Sequence, residues 1–387
     1  MIATNSPTMG PSISDLISPR RVRVWVAFTL TCVVLLLFVR QRETVAEWSA
    51  RQQPPSPDSI ASLGELELKE ARKDVVDWSK FAYLQYVTNS HYLCNSIMLF
   101  EQLHQHGSKA DRVMMYPAGM FDLEDPEAAA QAKGWKGHDI EMLMKARDDF
   151  NVKLVPVSVQ HRATADSTWA ESFTKLLAFN QTQYSRVLSL DSDAVLLGSL
   201  DELFTLPSSP VAMPRAYWLY PDEKKLASHI MLVEPSTDEF QRVLDATNEG
   251  GEDEYDMEIL NTLYQDSALV IPHRRYALLT QVFRWEDGEH AKYLGNDREE
   301  WDPVEVFNEA KYLHFSDWPL PKPWLGVADD LRVKLEPKCR VKDGLESCVE
   351  RDIWNGIYRD FHERRQRVCG YAIDPPEEVL HGESVLH

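Results

Sequence analysis

The sequence predicts an α/β fold: a mixed, mostly parallel sheet with helices on both faces. Three observations carry this. Strand-like segments alternate with amphipathic segments of helical period from Phe81 onward. The apolar run Val187-Leu188-Ser189-Leu190 stops at two carboxylates, Asp191 and Asp193, and open α/β sheets carry their ligands at such strand ends. The composition, 44% hydrophobic with 11 Trp, 14 Tyr and 14 Phe, supplies a sizeable core.

The elements follow in order. FAYLQYVTN, Phe81 to Asn89, reads as the first strand and runs into polar residues. HYLCNSIMLFEQLHQHG has apolar residues at helical spacing and closes on Gly107, a C-cap signal. DRVMMYP is the second strand, GHDIEMLMKARDDF a helix, and VKLVPVSV the third strand. A helix is expected from Trp169 to Tyr184, then the fourth strand with its carboxylates. Ser199-Leu200-Asp201-Glu202 reads as a capping box opening the next helix. WNGIYRDFHERRQRVCGY, near the C-terminus, is expected to form an amphipathic helix that closes the domain.

Upstream of this body, Val24 to Val39 is a run of 16 residues without charge, with Arg20, Arg21 and Arg23 before it and Arg40 and Arg42 after. It is long for a signal-peptide core and no small-residue cleavage site follows, so a signal anchor is preferred over a cleaved signal. The larger basic cluster precedes it, which predicts a cytosolic tail and a lumenal body. The organisation expected is a tail (1–23), a transmembrane anchor (24–39), a stem with Pro54, Pro55 and Pro57 (40–76), a catalytic domain (77–330) and a C-terminal extension packed on it (331–387). Cys32 falls in the anchor. In an oxidising lumen Cys94, Cys339, Cys348 and Cys369 can form two bridges, with Cys339–Cys348 closing the shortest loop, or remain buried thiols. Asn180-Gln181-Thr182 is the only glycosylation sequon. A net charge of -20 argues against nucleic acid as a partner. It leaves room for a small anionic ligand if a metal carries the opposing charge.

Residues i and i+2 of a strand share a face, so Asp191 and Asp193 are expected to project together. Two like charges that close need neutralising, and a hard divalent cation, Mn²⁺ or Mg²⁺, suits carboxylate oxygens. An isolated Asp-x-Asp is common, and one Asp capping a turn beside a solvated one is the plain alternative. The strand end after three β-α units favours a metal site. Haloacid-dehalogenase-like phosphatases also present such a triplet, with the first Asp, here Asp191, as nucleophile. They place it on the first strand, and VADD is a poor match to their later metal motif.

The wider pattern resembles glycosyltransferase family 8, the glycogenin-like family, and within it the fungal membrane-anchored N-acetylglucosaminyltransferases. The resemblance spans roughly Phe81 to Trp324. It rests on YVTNSHY, FTKLLAFNQTQYSRVLSLDSDAVLLGSLDELF, IMLVEPS, DMEILN and HFSDWPLPKPW, in family order. It implies a GT-A fold, a Rossmann-like mixed sheet in one catalytic domain. It also implies transfer of a hexose, best matched by N-acetylglucosamine, from a UDP-sugar to a glycan or glycoprotein with retention of configuration, in the Golgi. By this resemblance Asp191, Asp193 and His314 hold Mn²⁺. Thr88, Asn89 and Tyr92 grip uridine, Arg186 and Ser192 assist donor binding, Lys322 contacts the diphosphate, and Asp256 lies beside the reacting sugar carbon. The chain departs from glycogenin at Ala227-Ser228-His229, which lines the donor-sugar position, so sugar identity does not carry over. A lumenal sugar-nucleotide- or glycan-binding protein without catalysis is the remaining alternative.

Overall fold

A computed structural model describes residues 76–118, 137–158, 172–251, 254–342, 344–372 and 374–376. The expected tail and anchor, and all of the stem but residue 76, lie outside the described residues. Among the described residues no helix is long and apolar enough to cross a membrane. From Asp77 onward the chain forms one compact unit.

The first half is a run of β-α units. Strand β1 (Phe81–Tyr86) leads to helix α1 (Ser90–Gln105), β2 (Asp111–Pro117), α2 (Gly137–Phe150) and β3 (Val152–Val157). The segment before the fourth strand is a 3-10 helix, Ser172–Asn180, where the sequence suggested a longer helix from Trp169. Its residues after Asn180 turn instead: Gln181 N reaches back to Ala178 O and Tyr184 N to Gln181 O. Then come β4 (Arg186–Leu190), β5 (Ala194–Leu196), β6 (Val211–Pro214), β7 (Ile230–Val233), α3 (Thr237–Glu249), α4 (Asp256–Tyr264), β8 (Leu269–Ile271), β9 (Leu278–Leu279), β10 (Tyr312–His314) and a long helix α5 (Val349–Cys369).

The central sheet has strand order β3-β2-β1-β4-β7-β6-β8. Pairings are parallel except those of β7, which runs against both β4 and β6. Alternating residues serve two cores, as strand geometry requires. Tyr83, Met114 and Leu188 pack with α1 and α2 on one face. Ala82, Leu84, Met115 and Val187 pack with the 3-10 helix, α3 and α4 on the other. A second sheet, β5-β10-β9, lies just past the carboxyl end of β4.

The segment Asp201–Thr205 is a 3-10 turn without a side-chain cap, where a capping box was expected. Ser199 Oγ accepts from Asp201 N (3.3 Å), and the Glu202 carboxylate turns away to Lys311 and Tyr276. The four cysteines of the body form two bridges, Cys339–Cys348 and Cys94–Cys369. The second bridge fastens the end of α5 to α1. Glu101 of α1 adds ion pairs to Arg364 and Arg367 of α5. Asn180 is exposed at the end of its 3-10 helix.

Candidate active site

The parallel half of the sheet delivers the carboxyl ends of β1 and β4 side by side, and the site is built on them. Past Leu190 the chain leaves the strand. Asp191 N donates to His229 O (2.9 Å), and the Tyr312 hydroxyl donates to the carbonyls of Asp191 and His229 (3.0 Å each). The chain then re-enters as β5, antiparallel to β10, with Ala194 opposite His314 and Phe315 N bonded to Asp193 O (2.9 Å). This cross-strand register, rather than a shared strand face, joins the three predicted metal ligands. One ligand atom each from Asp191, Asp193 and His314 lies within 4.8 Å of the others. Two carboxylates and an imidazole suit a divalent cation such as Mn²⁺.

Each carboxylate has its own cation. Asp193 is contacted by His314 Nε2 at 3.1 Å and by Lys322 Nζ. Burial opposes its ionisation, yet His314 and Lys322 hold its carboxyl well below the ordinary carboxylate range. Asp191 is paired to Lys175 at 2.8 Å, and the same ammonium reaches Asp256 at 2.9 Å. Burial raises the Asp191 pKa, and Lys175 offsets only part of this. Burial likewise works against charge on Lys175, but its two carboxylates hold its pKa well above the usual lysine value. Asp256 does not cap α4, whose N-cap is Tyr255. Its carboxylate accepts from Ser228 Oγ at 2.7 Å, so its side chain belongs to the site.

Two cavities meet at this cluster. One, about 260 Å³, is lined by Tyr86, Thr88, Asn89, His91, Tyr92, Ser192 and Trp324. The other, about 270 Å³, is lined by Trp218, Ser228, His229, Asp256, His314 and Ser316. Lys175, Asp191, Asp193 and Lys322 line both. Thr88, Asn89, Tyr92, Ser192 and Lys322 are thus brought together as the sequence suggested. Asn89 also caps α1 through Oδ1, accepting from the backbones of His91 and Tyr92.

Arg186 is a correction. It opens β4, at the opposite end of the strand from Asp191, and lines neither cavity. Its guanidinium donates to the carbonyls of Phe204 and Leu206 and pairs with Glu234 at 2.7 Å. The buried cation of the site is Lys175, which sequence reasoning passed over although it stands in the matched segment FTKLLAFN. His229, expected only as part of the segment lining the donor-sugar position, does line that cavity. Its ring lies between Tyr312 (6.0 Å) and His314 (5.0 Å). Burial, reinforced by the charges of His314 and Lys175, pushes its pKa well below the usual histidine value.

No family model matches the chain. It is 40% identical over 382 residues to glucose N-acetyltransferase 1 of Aspergillus fumigatus, covering 94% of this chain and 90% of that protein. The chain belongs to the glucose N-acetyltransferase 1 family of glycosyltransferases. A second member, from Gibberella zeae, is 55% identical over 297 residues, which make up 76% of this chain and 63% of that protein's length. Among solved structures, a galactosyltransferase, LgtC, in complex with donor and acceptor sugar analogues superposes with a TM-score of 0.45 and 14% identity, over 66% of this chain and 99% of that one. Membership of this family sets aside the phosphatase alternative.

Proposed function

We propose that the protein is a retaining glycosyltransferase. It would move N-acetylglucosamine from its UDP form to a glycan of a glycoprotein, with Mn²⁺ (or Mg²⁺) at Asp191, Asp193 and His314. The observation that carries this is the pair of cavities sharing one charged wall. A nucleotide sugar has the same three parts: a nucleoside, a doubly charged diphosphate and a pyranose. The cavity of Thr88, Asn89 and Tyr92 takes the nucleoside, and the cavity of Asp256, Ser228 and His229 takes the sugar. The family names of the relatives, with glucose and N-acetyl in them, fit the sugar side.

A divalent cation at the Asp191, Asp193 and His314 donors supplies neutralisation of the diphosphate leaving group. The chain's own residues do the rest. Lys322, already at this wall, offers its ammonium to the departing phosphate. Lys175 holds the Asp191 and Asp256 carboxylates together despite their like charge. Asp256, oriented by Ser228, presents its carboxylate to the sugar carbon where positive charge develops as the glycosidic bond breaks. The acceptor hydroxyl attacks from the face the phosphate leaves and gives its proton to the departing phosphate oxygen, which retains configuration.

The segment 24–39 would anchor the protein in the Golgi membrane with this body in the lumen. Alkaline carbonate should then fail to extract it, and sealed vesicles should protect its body from protease. Release of a soluble species beginning after residue 40 would show a cleaved signal.

The decisive experiment is a donor screen of the full-length protein in detergent. UDP-N-acetylglucosamine with Mn²⁺ should give product, excess chelator should abolish it, and Mn²⁺ should restore it better than Ca²⁺. Full turnover in excess chelator would overturn the metal assignment. UDP binding without turnover on any glycan would favour the binding-protein alternative.

A further inference from the structure

Tyr220 and Trp318 stand out from every other aromatic ring of the described structure. Among the described residues seven large apolar side chains are exposed, and only these two are aromatic, Tyr220 at 45% and Trp318 at 69%. Other tryptophans of the same region, Trp324 and Trp354, are buried. Exposing an indole to water forgoes a large hydrophobic gain, and such rings at a cleft mark recognition sites.

Their placement is the second observation. Trp218 lines the sugar cavity, and Tyr220 follows it by two residues. Ser316 lines the same cavity, and Trp318 follows it by two residues. Two residues of chain span at most about 7 Å, so the Cα of each aromatic lies within about 7 Å of that of a residue lining the cavity. The two walls come from different parts of the chain, one before β7 and one after β10, yet each carries an exposed aromatic.

Both rings are carried by firmly held backbone. Before Tyr220, the Tyr217 ring is buried and stacks on His273 at 4.8 Å, and Tyr220 N donates to Tyr217 O (3.2 Å). Before Trp318, Asp317 is buried and accepts from Trp354 Nε1 (3.0 Å) and the Tyr358 hydroxyl (2.7 Å). After it, Leu320 N donates to Asp317 O (2.8 Å). A backbone held this way leaves only the ring torsions to be ordered on binding.

We infer that Tyr220 and Trp318 form the acceptor platform of this enzyme, stacking on the apolar C–H faces of pyranose rings in a carbohydrate acceptor. This rests on the glycosyltransferase reading above. A pyranose has an apolar face and a polar rim, and a flat ring beside a sugar cavity matches that face. The nucleoside-binding residues Thr88, Asn89 and Tyr92 line the other cavity, so the platform stands away from the nucleotide and on the side where the acceptor meets the sugar.

The test uses the full-length protein in detergent and three variants, Trp318→Ala, Tyr220→Ala and Trp318→Phe. A fourth, Leu345→Ser, controls for loss of an exposed apolar side chain elsewhere (75% exposed, on a disulfide-bridged hairpin). Initial rates are taken at saturating UDP-N-acetylglucosamine against an array of methyl hexopyranosides and short oligosaccharides. Each alanine variant should raise the acceptor KM by roughly 3- to 10-fold. The donor KM, the UDP affinity and the slow hydrolysis of donor by water should stay at wild-type values. Trp318→Phe should recover most of the loss, and Leu345→Ser should change nothing. An unchanged acceptor KM in the Trp318→Ala, Tyr220→Ala double variant would overturn the inference. If the wild type transfers no sugar at all, the function fails first, and the platform is then judged on a glycan array without donor. Carbohydrate binding lost in the double variant supports the platform; no carbohydrate binding by the wild type, or equal binding by both, refutes it.

Discussion

Arg365 of α5 donates from Nη2 to Nδ1 of His91, at 2.9 Å, across 274 residues of sequence. A guanidinium has donors only, so Nδ1 is the acceptor and the ring is neutral, with its proton on Nε2. Arg365 is 1% exposed and also donates to Asn95 Oδ1 (3.2 Å). His91 stacks on Trp324, and both line the cavity proposed for the nucleoside. The C-terminal helix, which lies outside the region of family resemblance, therefore backs this proposed donor cavity.

Replacing this buried donor should weaken donor binding more than turnover. Arg365→Met is expected to lower UDP affinity by about 10- to 100-fold, since a lost hydrogen bond to a charged group costs about 1.5–3 kcal/mol. kcat should fall less. Calorimetry of UDP with Mn²⁺ checks the first and saturating-donor kinetics the second. His91→Ala should show the same pattern, and the double variant should be no worse than either single one, because the two act as a unit. Additive losses would mean that Arg365 acts on the fold alone.

Much of this was legible in the sequence, and the gaps have physical causes. Strands β1 to β4 could be read because alternate residues, such as Tyr83 and Leu84, face two separate cores. Asp191, Asp193 and His314 could be read as a set only through the family pattern, because the antiparallel pairing of β5 with β10 that joins them is non-local. Lys175 was invisible as a site residue for the same reason. A lysine in an apolar stretch reads as solvated, and only the tertiary approach of Asp191 and Asp256 makes burial tolerable. Arg186 was readable and was misread. It precedes Asp191 by five residues on an extended strand, about 16 Å, which puts it at the far end of β4 from the two cavities, and it lines neither.

Lys175 yields a stability prediction with a compensating partner. Lys175→Met leaves two buried carboxylates facing each other, which should cost about 3–5 kcal/mol and most of the activity. Adding Asp256→Asn removes one of the stranded charges, so thermal stability should partly return while activity does not. A melting temperature no higher in the double variant than in Lys175→Met would show that charge compensation is not what Lys175 provides.

The α1–α5 contact predicts a pH effect. Burial raises the Glu101 pKa, but Arg367 and Arg364 more than reverse this, so its folded value lies below the ordinary 4.5. The unfolded chain then binds the proton more readily, and stability rises with pH across this window. The contribution is present above about 4.5 and is lost as pH falls through the lower folded value. Urea midpoints measured from about pH 6 to pH 3 should fall more steeply for the wild type than for Glu101→Gln, and the two should converge at the acid end. Parallel curves would remove Glu101 from the acid response.

The last prediction separates the two acids of the shared wall. Asp193→Asn keeps size and removes charge from a proposed metal ligand. It also strips Lys322 and His314 of the carboxylate they now contact. Metal affinity should drop, and UDP affinity with it, because the diphosphate would then meet Asp191 without full neutralisation. Asp256→Asn should behave otherwise. Of the two cavities Asp256 lines only the one proposed for the sugar, and Lys175 bridges it to Asp191 of the proposed metal site. UDP and Mn²⁺ should bind it nearly as well as they bind the wild type, while kcat falls by about 100-fold or more, the signature of an interaction made in the transition state. Calorimetry with Mn²⁺ and UDP, set beside turnover, reads both variants. UDP binding lost with Asp256→Asn and retained with Asp193→Asn would reverse the two roles and with them the division of the cavities into a nucleoside side and a sugar side.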